Sequence, residues 1–219
     1  MTDTDAIPAG IEAALRNVAR DLHHEFEGTF SEENVYRLAC DSYRELSRTA
    51  EVSRWLVIST EKFTRQRLAA LTHAETAMGR APSVLFLCVN NAGRSQMALG
   101  FLHQLAGDSV VAWSAGSEPG REINPLAVEA MAEIGIDISH EFPKPWTDEF
   151  VTAADVVITM GCGDSCPLLP GKPYEDWELA DPAGKRLAEV REIRDEIARR
   201  VEQLASRLTV SPGWPTRMP

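Results

Sequence analysis

Cys88 closes the apolar run SVLFLC, and Arg94 follows six positions later across VNNAG, with Ser95 directly after it. A cysteine ending a strand and an arginine opening a helix, joined by a short loop, suit one kind of chemistry. The backbone N–H groups of Val89, Asn90, Asn91, Ala92, Gly93 and Arg94 can curl into a nest around a tetrahedral oxyanion at the helix N-terminus. Arg94 adds a two-pronged fork to two of the oxygens. The same donors favour Cys88 as a thiolate nucleophile, and Ser95 can donate to its sulfur. Asn90, Asn91 and Gly93 are types that tolerate the left-handed backbone a curled loop needs. The plainer alternative is a buried thiol ahead of an ordinary turn, and the strand-loop-helix setting argues for the anion loop.

A nucleophile that attacks a tetrahedral oxyanion also needs an acid for the departing oxygen. ELADPAGK, at 178–185, places Asp181 before a proline. That is a common turn pattern, but its position on the same edge as Cys88 makes Asp181 the candidate general acid. MGCGDSCPLLPG, at 160–171, supplies two further thiols, Cys162 and Cys166. Four apart in a helical turn, such residues lie about 6 Å from each other at Cα, inside disulfide reach. Gly161 and Gly163 leave the segment free to move. A structural pair and half of a zinc site are the alternatives. Zinc takes four ligands, and no other close cluster of Cys or His stands in the sequence, so no metal is expected. Cys40, on a helical stretch, reads as a small apolar residue.

The elements that must position these groups fall into two grammars. Residues 1–78 carry helical spacing only. Ile11, Leu15, Val18, Leu22 and Phe26 make one stripe, and Val35, Leu38, Ala39, Ser42 and Leu46 a second behind Ser31 as N-cap. A third helix runs from about 53 to 77 with Leu56, Phe63, Leu68 and Leu71, so the three form a small bundle. MGRAPS, at 78–83, reads as a linker. Beyond it strands alternate with helices: strands at 84–88, 109–114, 154–160 and 174–179, helices at 95–106, 125–134 and 186–208. This predicts an α/β fold, a four-stranded parallel doubly wound sheet preceded by a three-helix bundle. Cys88, Ser114, Cys162 and Asp181 then gather at the carboxyl ends of the strands. The expected organisation is a helical domain over 1–80, a catalytic domain over 81–209 and a flexible tail over 210–219.

LFLCVNNAGRSQMA, WSAGSEPG, INPLAVEAMAEIGID and DWELADPAGK occur in that order. Together they resemble the arsenate reductases built on the low-molecular-weight tyrosine phosphatase fold, over residues 83–208. The resemblance implies Cys88 as nucleophile, Arg94 as oxyanion ligand and Asp181 as acid. It also implies a relay in which Cys162 attacks the sulfur of Cys88 and Cys166 then takes over the disulfide, with arsenate as substrate. No cofactor is bound in such a scheme. Electrons come from thioredoxin, or from a mycothiol or glutaredoxin-like system. Relatives with a helical extension look dimeric, which implies a homodimer through the N-terminal helices. Two departures stand out. Relatives usually carry glycine at Asn90, which puts a left-handed asparagine there. Some carry a glutamate of a cation site at Leu99, and that site is not carried over. Pro-Ala-Gly follows Asp181 where the phosphatases place tyrosine, a further indication of a reductase.

Composition bounds the rest. The chain of 219 residues can bury a real core, and no apolar run is long enough to span a membrane. The N-terminus lacks a signal-peptide layout, and four unevenly spaced cysteines suit a reducing cytoplasm. A net charge of −11 argues against nucleic acid or an anionic membrane as partner. Two other readings remain: a phosphotyrosine phosphatase on the same fold, and an enzyme fused to a helical DNA-binding regulator.

Overall fold

A computed structural model describes residues 7–49, 53–76, 79–163, 166 and 170–210. The chain divides into two compact units, Met1–Ala69 and Ala70–Pro219. The division falls inside the third helix, ahead of the expected boundary at 80. The last turn of that helix belongs with the second unit, where the ring of His73 meets Trp113 edge-on at 5.7 Å.

The first unit is built by α1 (Ala9–Glu25), α2 (Glu32–Ser47) and α3 (Ser53–Glu75). Leu15, Val18, Ala19 and Leu22 of α1 pack with Val35, Ala39 and Cys40 of α2 and Leu68 of α3. Burial of each large aliphatic side chain stabilises the unit by about 1.5–3 kcal/mol. Ser31 caps α2, its Oγ accepting the Asn34 N–H at 3.2 Å. Arg65 reaches Glu25 at 2.8 Å and Arg67 reaches Asp41 at 2.7 Å, which tie α3 to both other helices. Cys40 is a buried free thiol, as its place on the apolar face requires.

The second unit alternates β1 (Ser83–Cys88), α4 (Arg94–Ala106), β2 (Val111–Gly116), α5 (Pro125–Ala132), α6 (Asp148–Ala153), β3 (Val156–Met160), β4 (Tyr174–Asp176) and α7 (Leu187–Val210). The four strands are parallel in the order β2-β1-β3-β4. β1 is central and buried along its whole length, which is why it reads as an unbroken apolar run. Val84, Phe86, Val156 and Ile158 face a core completed by α4, α5 and α7; Val190, Ile193, Ile197, Val201, Leu204 and Leu208 form the buried stripe of α7. On the other face Leu85 lies level with Trp113, which stacks on Phe150 of α6 at 5.9 Å.

Three local expectations are corrected. The second strand starts at Val111, not 109, because Gly107–Ser109 forms a 3-10 turn in which Ser109 Oγ donates to Ala106 O. Ser114 is therefore inside β2, and Gly116 ends it. β4 stops at Asp176, with one further bond from Trp177 N–H to Thr159 O at 2.8 Å. The apolar residues Trp177 and Leu179 continue into the core after the backbone has left the ladder, so Asp181 sits in the loop beyond β4. The six-residue helix α6 is too short for its periodicity to register in the sequence. The residues beyond 210, expected as a tail, lie outside those described.

Candidate active site

β1 has β2 on one side and β3 on the other, so the chain leaves its carboxyl end at the point where strand order reverses. Parallel sheets bind ligands at that point. Cys88 pairs with Gly116 of β2 and Met160 of β3, is 2% exposed and is a free thiol.

The loop after it is shaped from outside. Backbone N–H groups of Ser117, Glu118, Gly120 and Asn124 donate to the carbonyls of Cys88, Val89, Asn90 and Ala92 at 2.8–3.1 Å. Gln96 Nε2 takes the Asn91 carbonyl at 3.1 Å. In a trans peptide the N–H points opposite to the preceding C=O, and the described residues contain no cis peptide. With the carbonyls engaged outward, the N–H groups of Val89, Asn90, Asn91, Ala92 and Gly93 face the loop interior. Asn91 N–H donates to Cys88 Sγ at 3.2 Å. The N-terminus of α4, with no acidic residue in its first turn, adds its positive dipole end.

Asn91, not Asn90, takes the left-handed backbone, with φ +47°. The departure expected at Asn90 is thus corrected: its neighbour absorbs the bend. The side chain of Asn91 explains why. Its Oδ1 accepts from Gln96 Nε2 and from the Lys144 backbone N–H, both at 3.0 Å. An N–H can only donate, so the amide orientation is fixed and Nδ2 must face Ser95 Oγ, 2.9 Å away. When Cys88 is a thiolate its sulfur can only accept, so the Ser95 hydroxyl, 3.0 Å distant, donates to it. The sulfur therefore sits between two donors. Sequence reasoning missed Gln96, in the first turn of α4, and Lys144, which reaches the loop from 53 residues away. Lys144 is fully buried, its Nζ 4.6 Å from the Phe142 ring centroid. Leu99 is buried apolar core.

Close approach dictates two glycines. A Cβ on Gly116 would meet Val89 O at 2.5 Å, and one on Gly161 (φ +77°) would meet Arg94 Nη1 at 2.8 Å. The second contact lays the start of the Cys162 segment beside the oxyanion-loop arginine. Arg94 is almost wholly buried and donates from Nη2 to Asp181 Oδ2 at 2.6 Å and from Nη1 to Leu179 O at 3.3 Å. The Asp181 side chain is 45% exposed, and its Oδ1 accepts the Ala183 N–H at 2.9 Å. Cys88, Asn90, Ala92, Gly93, Arg94 and Asp181 line one cleft, with Asn124 and Pro182 on its rim.

Cys162 and Cys166 are joined in a disulfide, Cα–Cα 5.6 Å, and both are buried. Gly161 and Gly163 both take positive φ. Cys162 lies two residues past Met160, the β3 neighbour of Cys88. Of the predicted residues, Cys88 contacts Ser95 and Arg94 contacts Asp181, and Cys88, Arg94 and Asp181 line the same cleft, while Cys162 follows the next strand end.

A thiol and an arginine closing an anion loop on this sheet define a class. The chain belongs to the low molecular weight phosphotyrosine protein phosphatase family, whose model matches residues 83–211. A separate model, the N-terminal domain of protein-tyrosine-phosphatase-like proteins, matches residues 15–72. Within this family the chain is 41% identical over 130 residues to arsenate reductase 1 of Staphylococcus epidermidis, covering 58% of this chain and 97% of that protein. It is similar to the thioredoxin-dependent arsenate reductase of Corynebacterium glutamicum, with TM-score 0.80 and 44% identity over 90% of this chain and 98% of that one. An arginine phosphatase of Geobacillus stearothermophilus shares the fold at TM-score 0.52 and 26% identity, over 58% of this chain and 93% of its own.

Proposed function

We propose that the protein reduces arsenate to arsenite. The observation that carries this reading is the Cys162–Cys166 disulfide beside the strand that ends in Cys88. Ester hydrolysis consumes no electrons and needs one nucleophilic thiol. Reduction of As(V) to As(III) needs two electrons, which a pair of thiols supplies.

The Cys88 thiolate, held by Ser95 and the Asn91 N–H, attacks arsenic as the loop N–H groups and Arg94 bind the remaining oxygens. Asp181 gives a proton to the departing hydroxyl, which leaves as water. The Cys162 thiolate then attacks Cys88 Sγ, and the sulfur–arsenic electron pair departs with arsenite. Cys166 attacks Cys162 in turn, which frees Cys88 as a thiolate and leaves the Cys162–Cys166 disulfide. An external dithiol protein of the thioredoxin type reduces that bond, with no bound cofactor. The similarity to a thioredoxin-dependent enzyme over nine-tenths of the chain supports that electron source.

The helical unit serves self-association in this reading, supported by the exposed Trp55 and Ile58 three residues apart on α3; light scattering at micromolar concentration reads the dimer directly. A cytoplasmic location fits the redox chemistry, and among the described residues no helix is long and apolar enough to cross a membrane.

The decisive assay supplies arsenate with NADPH and either a thioredoxin system or a small-thiol system, and follows NADPH oxidation. Arsenate-dependent oxidation with the thioredoxin system, abolished in Cys88→Ser, is the expected result. A protein that hydrolyses aryl phosphates faster than it reduces arsenate at matched concentrations is a phosphatase instead.

A further inference from the structure

We infer that Asn124 is a positioning residue for the general acid, a latch that holds the Asp181 loop across the cleft mouth; this rests on the reading of Asp181 given above. The loop between β4 and α7 needs such a device. A proton donor has to be held to within about half an ångström of its working position, yet the Asp181 side chain is 45% exposed. Two of the loop's bonds are internal and move with it: Ala183 N–H to Asp181 Oδ1, and Lys185 N–H to Pro182 O. Arg94 holds Asp181 and Leu179 O, but an oxyanion in the loop competes for the same guanidinium donors. The restraint fails at the moment the acid is needed.

Asn124 supplies a restraint that substrate does not consume. Its Oδ1 accepts the Leu126 N–H at 2.9 Å as the N-cap of α5. That bond fixes the amide orientation, so Nδ2 is the atom that faces Pro182 O at 3.3 Å. Its backbone N–H donates to Ala92 O at 2.8 Å. One residue thus joins the anion loop, the start of a helix and the acid loop. Pro182 is pressed onto Gly93 from the same side, where a Cβ would meet Pro182 Cγ at 2.6 Å. The latch sets the distance between the residues that bind the oxyanion and the one that protonates it.

Asn124→Ser separates the two jobs of the side chain. Serine remains a good N-cap without adding charge, but it is too short to reach Pro182 O. Asn124→Ala removes both the cap and the latch. Hydrogen exchange in Asn124→Ser should be about tenfold faster at the Ala183 and Lys185 amides and unchanged at Leu126. The value of kcat/KM for arsenate should fall about tenfold, with the inhibition constant of inorganic phosphate unchanged. For aryl phosphates the loss should grow as the leaving group becomes more basic. In an Asp181→Asn background Asn124→Ser should cost no further activity. Unaltered exchange in the acid loop would overturn the latch, whichever substrate the enzyme uses. Phosphate binding that weakens in step with turnover, or an equal loss in the Asp181→Asn background, would place the action of Asn124 elsewhere. An exchange response in a protein that does not reduce arsenate would keep the latch and remove the reductase reading.

Discussion

At the scale of single residues, the site depends on Asn91. It occupies a left-handed conformation, and its buried amide satisfies Gln96, Lys144 and Ser95 together. Asn91→Gly keeps the backbone conformation but strands those partners, at about 1–3 kcal/mol for each buried group left unpaired. Asn91→Ala adds the left-handed strain, about 1–2 kcal/mol more. Denaturant midpoints should therefore fall in the order wild type, glycine variant, alanine variant; equal stability for the two variants would show that the backbone bend carries no strain. Cys88, Arg94 and Ser95 are legible in the sequence because the chemistry of a loop between strand and helix is local. The choice of Asn91 over Asn90 is not, since it is made by donors 5 and 53 residues away. Asparagine before proline at 124–125 does signal a helix cap, but nothing local announces its bond to Pro182.

At the scale of elements, the four-stranded parallel sheet was legible because a buried parallel strand is apolar along its whole length and its helices keep a 3.6-residue stripe; the order β2-β1-β3-β4 was not, since strand neighbours leave no mark in the pattern of either strand. Strand ends were less legible. Gly107–Ser109 has strand-compatible neighbours yet closes a 3-10 turn, and the apolar pattern of 174–179 outlasts the pairing of β4. The end of β2 tests whether strands position the loop. Gly116 lies so close to Val89 O that a methyl group cannot be accommodated without moving backbone. Gly116→Ala should weaken phosphate inhibition and lower kcat/KM by about a hundredfold, with a smaller effect on thermal stability than a core truncation such as Leu204→Ala, about 2–5 kcal/mol. Normal phosphate affinity in Gly116→Ala would mean that the loop holds its shape without the strand end.

At the scale of the whole molecule, pH acts through groups far from the cleft. His73 is held below its ordinary value of 6.5 by burial first and by Arg80 second, against the opposing pull of Asp155. The unfolded chain therefore takes up a proton near pH 6.5 that the folded one resists, so stability falls as pH drops below that value. Glu133 and Glu196, lowered chiefly by hydrogen bonds from Arg191 and from Arg199 and Arg200, act in the same direction at more acid pH. Melting temperature should decline from pH 7.5 to 5.5, and His73→Gln should flatten that decline; an unchanged slope would exclude His73 as its source. The change in periodicity near residue 80 marks where helices give way to alternating strands and helices, but the division inside α3 leaves no mark, because the helix runs through it with no break in pattern. Turnover by the proposed relay requires Cys162 to attack the sulfur of Cys88. Cys166→Ser removes the thiol that resolves the intermediate, so one equivalent of arsenate should release one arsenite and leave a Cys88–Cys162 disulfide, detected by peptide mapping without reductant. Continued turnover by that variant, or arsenite release with no Cys88–Cys162 bond, would contradict the account.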